Sequence, residues 1–418
     1  MIFDGIKKIL KKNSCLNTAS HKAIDLLREF KKDISYAGTV KKAYQKLSDS
    51  LPYQAYHYLL FVPWLIKGGG DKYSIEYANT IASLNPKKRV LVIATTNIKS
   101  VWADKLSSRI GFLNIEDIIG NETNDIKYDA IQKLTQKLGI SHIHIINSVF
   151  GYDFIENKQR YILDSNIRII LTSFSLGIDT SGKPAGYSRT YVPRAHNLAS
   201  VITSDNQSII NAWASQYGFS PNKMVVHRQP IDPIDVPPKP KLKQPIKILW
   251  ASRISYEKQP ELIAPIGKLL AEQATIDMYG TIDKGSDFSQ KDLPKNVKYI
   301  GSFDGFQSID TSKYDLFLYT SLFDGMPNIL IEAAQSKIPI VASAVGGISE
   351  FIVNNETGML IGEIRNPYAY VKAIKKFIRT PSISKKMATN AMIKIKNEFN
   401  RENYTKAVKD MLIRLKYL

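Results

Sequence analysis

One cysteine, Cys15, stands in a chain of 418 residues. A lone thiol closes no internal disulfide and builds no thiolate metal cluster, so a reducing compartment, the cytoplasm by default, is predicted. Long apolar runs are missing as well. The longest, "YHYLLFVPWLI" at 56–66, is short for a bilayer crossing and holds Pro63, so no transmembrane helix is predicted. The stretch "MIFDGIKKILKKN" interleaves lysine with its apolar residues and lacks a cleavage-like end, so it is not read as a signal peptide. Neither the Walker sequence, the dinucleotide-binding glycine spacing, zinc-finger spacing nor an Asp-x-Asp motif occurs. Without an Asp-x-Asp pair or a His/Cys cluster, no metal site and no cofactor are predicted.

Acidic residues are also few relative to basic ones, 38 against 57, a formal net charge of +19. Such a surplus favours an anionic partner: nucleic acid, a membrane surface or a phosphorylated substrate. No aromatic RNA-binding signature and no single dense basic block is present, which argues against nucleic acid. The excess is greatest near both ends. Residues 1–50 hold eleven Lys/Arg against five Asp/Glu, and residues 380–418 hold nine against three. Within 2–12, Ile2, Phe3, Ile6, Ile9 and Leu10 share one helical face and Lys7, Lys8, Lys11 and Lys12 the other. That pattern fits a helix lying in the headgroups of an anionic membrane, and equally a helix docked on its own domain.

What is abundant is alternation. Apolar strand-like runs at 56–62, 89–96, 141–147, 167–173, 199–204 and 223–227 are separated by helix-like stretches such as 72–83, 127–138 and 206–217. This is the pattern of a doubly wound parallel sheet. Residues 230–245, "PIDPIDVPPKPKLKQP", then bring six prolines, which form neither helix nor central strand and read as a semi-rigid hinge. The alternation restarts with runs at 246–252, 274–280, 297–302, 314–321, 338–343 and 358–362, followed by helices over 367–379 and most of 383–417. The predicted organisation is a helical, basic extension (1–54), a first α/β lobe (55–229), the hinge (230–245), a second α/β lobe (246–395) and a terminal helix (396–418) able to cross back to the first lobe. Ligands of open α/β sheets bind beyond the carboxyl ends of strands, which places the site in the cleft between lobes.

Three stretches could carry chemistry. In "ILWASRISYEKQPELI", 248–263, Arg253 and Lys258 follow a buried strand. A planar guanidinium and a mobile ammonium there suit a diphosphate, and the same residues also fit a solvated, charged surface. In "WLIKGGGDKYSIEYANTIA", 64–82, glycines including Gly69 and Gly70 precede a helix. Such a turn lets backbone approach a ligand, although a triple glycine alone is no more than a turn. In "SLFDGMPNILIEAAQSKIPIVASAVGG", 321–347, a Gly/Pro turn with Asp324 leads through Gly325, Met326, Pro327 and Asn328 into a helix bearing Glu332. Pro327 suits the first helical turn. The helix start reads as an anion seat with an acid on each side suited to hydroxyl groups, the alternative being that Asp324 is a turn residue and Glu332 solvent-exposed. A sugar nucleotide has that composition.

"DGMPNILIEAAQSKIPIVAS" resembles the Glu-x7-Glu segment of GT-B-fold retaining glycosyltransferases of the family-4 type, with Asp324 and Glu332 at the motif spacing. "SRISYEK" and "KGGGDKY" resemble that family's other donor segments, in the same order along the chain. The resemblance spans roughly 55–418 and implies two Rossmann-like lobes facing a central cleft. It also implies a nucleoside-diphosphate-sugar donor and a glycan acceptor. Arg253 and Lys258 would bind the diphosphate, Glu332 the ribose and Asp324 the donor sugar. Gly69, Gly70, Gly325, Met326, Pro327 and Asn328 would line the pocket through their backbone, with base contacts near 279–281, including Gly280, and near 301–303. The surplus positive charge suggests an acceptor at a membrane, such as a lipid-linked saccharide in surface polysaccharide or lipopolysaccharide assembly. Three departures stand out. Aspartate replaces the usual first glutamate. "ILTSFSLG" carries Ser173 and Ser175 where the family often has histidine. "HRQPID" replaces Asn-Gly-hydrophobic-Asp. His142 and His144 are read as structural strand residues. The departures leave a second reading, a non-catalytic relative that binds a sugar nucleotide as a scaffold.

Overall fold

A computed structural model describes residues 17–231 and 244–418. The basic amphipathic stretch 2–12 and hinge residues 232–243 lie outside the described residues. The first strand-like runs form β1 Tyr58–Val62, β2 Val90–Ala94, β3 Ile110–Asn114, β4 His142–Ile146, β5 Arg168–Thr172, β6 Ala199–Ser204 and β7 Met224–Val226. They pair in parallel in the order β3-β2-β1-β4-β5-β6-β7. The second lobe repeats the scheme with β8 Ile246–Ala251, β9 Ala274–Tyr279, β10 Val297–Gly301, β11 Leu316–Tyr319, β12 Ile340–Ser343 and β13 Met359–Ile361, ordered β10-β9-β8-β11-β12-β13. The two sheets and their helices make a GT-B fold.

The unbroken apolar runs have a simple cause. β1, β2 and β4 are buried at every position, because helices cover both faces of a parallel sheet. Each lobe accordingly has two apolar cores, one per face. The strand order reverses beside β1 in the first sheet and beside β8 in the second, and crevices open at such points. A helix Asn17–Asp49 precedes the first lobe. Val40, Ala43 and Leu47 are buried, and the helix packs on Asn124–Leu138.

The helical stretch expected over 383–417 is two helices, Pro381–Glu398 and Arg401–Arg414. The break comes at Asn400, whose side chain accepts from the Asn403 amide at 2.8 Å and caps the second helix. The break is also where the chain changes lobe. Ala391, Ile395 and Phe399 belong to a second-lobe core, whereas Tyr404, Val408, Met411 and Leu412 belong to a first-lobe core. The other passage between the lobes runs alongside: the Ile231 amide donates to the Phe399 carbonyl at 2.8 Å.

The returning helix covers a group of buried histidines. His142 Nε2 meets the Leu415 carbonyl at 3.0 Å, and His144 bonds Tyr58 at 3.0 Å and Thr172 at 2.6 Å. Burial pushes His142 and His227 down to about 4, and it holds His144 well below the usual imidazole range. The folded state therefore refuses protons that the unfolded chain accepts below about pH 6.5. Stability is complete above that pH and falls as pH drops toward 4, by about 1.4 kcal/mol per pH unit for each histidine kept neutral. The urea midpoint is expected to fall markedly between pH 7 and pH 5, and an invariant midpoint would refute this account.

Candidate active site

The lobes touch along their facing edges. Lys72 Nζ meets Glu332 Oε1 at 3.0 Å, Lys67 meets Asp304 at 2.6 Å and Arg228 meets Glu350 at 3.1 Å. Glu350 also accepts the Ser208 amide at 2.7 Å, at the start of the first-lobe helix Gln207–Tyr217. Between these contacts lies a cavity of about 120 Å³. From the first lobe it is lined by residues including Gly69, Gly70, Asp205 and Gln229, and from the second by 324–328.

Two helices begin at this cavity. Gly69–Leu84 follows β1, and Asn328–Gln335 follows the loop after β11. Two of the three glycines thus form the first helical turn, which starts three residues before the 72–83 stretch. Pro327 is the cap of its helix, with extended backbone (φ −71°, ψ 119°), rather than its first turn. No side chain caps either start. First-turn amides of both helices therefore face one space, one set from each lobe, which is the arrangement an anion needs.

Lys258 and Asp324 form a tight ion pair behind the loop. Tyr319 Oη donates to the same carboxylate oxygen of Asp324 at 2.6 Å, and the Gly325 amide donates to the other at 2.9 Å. Burial by itself would raise the Asp324 carboxyl, but the Lys258 ammonium and these donors hold it below the ordinary carboxylate range. Conversely, burial disfavours the Lys258 ammonium, while Asp324 and Tyr319 keep it charged and push its pKa upward. Lys258 is thus a cation fixed on Asp324, and it does not itself line the cavity.

The other residues singled out in the sequence are dispersed. Arg253 does not join Lys258. It turns outward, its side chain 62% exposed, to pair with Glu257 at 2.6 Å and Asp283 at 3.3 Å. A 3₁₀ turn, Tyr256–Lys258, separates the two cations and points them to different sides. Gly280 lines no described part of the Asp324 cavity. A Cβ there would lie 1.7 Å from the Ser252 carbonyl oxygen, and the Gly280 amide donates to Gly301 at 2.8 Å, so this glycine fastens strand ends. Glu332 does not share the Asp324 cavity. It lines a neighbouring one of about 350 Å³ with Lys72, Phe306 and Arg401. A larger cavity, about 680 Å³, is lined by five acids, Glu257, Glu261, Asp283, Asp287 and Asp292, against one cation, Lys284, a balance unfavourable to a diphosphate. Among the described residues no group of three or more His, Cys, Asp or Glu is placed to hold a metal ion, and no helix is long and apolar enough to cross a membrane.

Comparison with known proteins finds likeness chiefly in the second lobe. Residues 233–393 match the family model described as glycosyl transferases group 1. That match covers most of the second lobe. The chain is 26% identical over 167 residues to the O-antigen biosynthesis glycosyltransferase WbnH of Escherichia coli, covering 40% of this chain and 46% of that protein. It is 28% identical over 99 residues, 24% of this chain and 25% of the relative, to an Escherichia coli UDP-Gal:alpha-D-GlcNAc-diphosphoundecaprenol alpha-1,3-galactosyltransferase. The chain thus spans about half the length, or less, of these curated relatives. Its fold superposes on Anabaena Alr3699/HepE, solved with UDP and glucose, with a TM-score of 0.67 at 15% identity, over 87% of this chain and all of that one.

The second lobe contributes only half of the cavity, and of the first-lobe half the sequence reading singled out Gly69 and Gly70 but not Asp205 or Gln229. Asp205 is buried at the end of β6. Burial pushes its carboxyl up to about 7, hydrogen bonds from Asn206 and the Met326 amide oppose the rise, and the Asp324 charge adds to it. Gln229, in the departure "HRQPID", accepts from Asn328 of the second lobe at 2.9 Å. The one available signal was position: Asp205 directly follows a strand's carboxyl end.

Proposed function

We propose that this protein is a retaining, metal-independent glycosyltransferase. It moves a sugar from a nucleoside-diphosphate-sugar, UDP being the favoured nucleotide, to a hydroxyl of a growing glycan. The observation that carries this reading is the pair of uncapped helix starts, one from each lobe, meeting beside the Lys258–Asp324 pair. The diphosphate sits across the two helix starts, with Lys258 as the cation that stabilises its departure in place of a metal ion. Arg253 contributes if donor binding draws it from Glu257 and Asp283. Glu332 takes the ribose hydroxyls in the adjoining cavity, which leaves the sugar at the smaller one.

In the reaction the bond from the anomeric carbon to the leaving phosphate oxygen breaks. The acceptor oxygen bonds that carbon on the same face, and its proton passes to the departing phosphate. Lobe closure excludes water that would otherwise hydrolyse the donor.

The surplus positive charge and the diphosphoundecaprenol acceptor in the name of one relative support a lipid-linked acceptor. They also support peripheral attachment to the cytoplasmic face of the membrane, in surface polysaccharide or lipopolysaccharide biosynthesis. The test is donor turnover: purified protein with UDP- and GDP-sugars and a diphospholipid-linked saccharide should release nucleoside diphosphate in the presence of a chelator, with the anomeric configuration kept. Binding of UDP or GDP with no turnover on any acceptor would favour the non-catalytic scaffold. In the same samples, Glu332→Ala is expected to weaken donor binding about tenfold to a hundredfold, the loss of hydrogen bonds to a charged group. Unchanged thermal stabilisation by donors would remove Glu332 from the site.

A further inference from the structure

We propose that Asp205 and Gln229, both from the first lobe, bind hydroxyl groups of the transferred sugar across the cleft from the Asp324 loop and help to set which donor is accepted. This rests on the glycosyltransferase reading above and deepens it.

Both residues line the 120 Å³ cavity, and both are buried, at 8% and 5% exposure. Asp205 Oδ1 accepts from Asn206 Nδ2 at 2.7 Å, and the Met326 amide also bonds this carboxyl. The same oxygen lies over Gly325, where an added Cβ would come within 3.3 Å of it, so the group faces the second lobe. Gln229 is oriented by its Oε1, which accepts from Asn328. That bond leaves Nε2 buried without a hydrogen-bond partner among the described residues. A buried donor left unpaired is unfavourable, so the fitting occupant presents an acceptor oxygen there.

Asp324, the other acid of the cavity, is differently placed. Lys258, Tyr319 and Ser321 converge on its Oδ2, and the Gly325 amide takes Oδ1. Asp205 takes its bonds from neutral donors, Asn206, the Met326 amide and its own amide, and is the less heavily engaged of the two acids. An N–H donor and a carboxyl acceptor lining one cavity are complementary to hydroxyl groups, which accept from the first and donate to the second. A second cavity, about 190 Å³, shares Phe174 and Ser175 with this one and adds Tyr187 and Phe323, which gives the ring's apolar face an aromatic wall.

The test uses full-length Asp205→Asn and Gln229→Met, with Gln229→Glu as a variant that keeps an oxygen for Asn328 while replacing the donor nitrogen. Ligand-free melting temperatures confirm that each variant is folded. Probes are UDP, GDP and their glucose, galactose, N-acetylglucosamine and mannose conjugates. The variants are expected to bind the free nucleotide as wild type does, while kcat/KM for the preferred sugar donor falls about tenfold or more and the ranking of donors changes. Folded variants that retain both the donor ranking and kcat/KM would overturn the proposal while leaving the glycosyltransferase reading standing. Failure of wild type to bind UDP or GDP would overturn that reading and this inference with it.

Discussion

Replacing Lys258 by methionine should lower the melting temperature of the second lobe by roughly 6–20 °C and abolish donor binding. The side chains of Lys258 and Asp324 are 12% and 19% exposed, so removing the ammonium leaves a carboxylate away from water with only Tyr319, Ser321 and the Gly325 amide as neighbours. Breaking such a buried pair from one side costs about 3–5 kcal/mol, and in a unit of this size each kcal/mol moves the melting temperature by about 2–4 °C. The double variant Lys258→Met, Asp324→Leu removes both charges and should recover much of the stability. It should not recover donor binding, because the diphosphate still lacks its cation. Calorimetry with and without UDP separates the two effects. A single variant that melts like wild type would show that the pair is not desolvated as described.

The second large effect is expected from one methyl group. A Cβ on Gly325 would lie 2.5 Å from the Phe174 carbonyl oxygen and 3.1 Å from its carbon. Both atoms are backbone of the opposite lobe, and neither moves aside as a flexible side chain would. Gly325 is not among the residues with left-handed backbone, so alanine is compatible with the loop itself and with an intact second lobe. Gly325→Ala should therefore fold with nearly unchanged melting temperature, hold the lobes apart, and lower kcat/KM about a hundredfold, the order expected for misplacement by an ångström. Solution X-ray scattering should show a larger radius of gyration than wild type. Gly362→Ala, where a Cβ meets nothing within 4 Å, is the control and should leave scattering and activity unchanged. Normal activity in Gly325→Ala would mean that the close contact of 325 with 174 is not part of the working state.

Most of the fold was legible because buried parallel strands announce themselves. Twelve of the thirteen strands coincide with an apolar run bounded by turn residues. The exception, β3, has Gly111 inside it and runs directly into the helix Ile115–Ile119, with no turn between them. Its glycine answers a tertiary need: a Cβ there would collide with the Tyr56 hydroxyl at 2.2 Å. The site was legible where it rests on backbone. Glycine and proline at 69–70 and 325–328 mark two helix starts, and those starts meet. Side-chain directions were not legible. Sequence spacing put Arg253 with Lys258, and a single 3₁₀ turn parts them. It put Glu332 at the mouth of its own helix, and Lys72 of the other lobe draws it into a separate cavity. Asp205 and Gln229 become neighbours of the 324–328 loop only when two lobes distant in sequence are laid face to face. No local pattern encodes that approach.

The change of lobe at Asn400 has a bearing on how this molecule can be cut. Cleavage within the proline-rich segment would not yield two self-sufficient halves. The upstream fragment would lack Tyr404, Val408, Met411 and Leu412, and would bare the apolar face that they cover. The downstream fragment would carry that same helix as an unsheltered amphipathic tail. Severed pieces should therefore aggregate when made separately and reassociate when made together, as split-protein reporters do. A cut after Phe399 instead frees a short peptide that the rest of the chain can be asked to bind back.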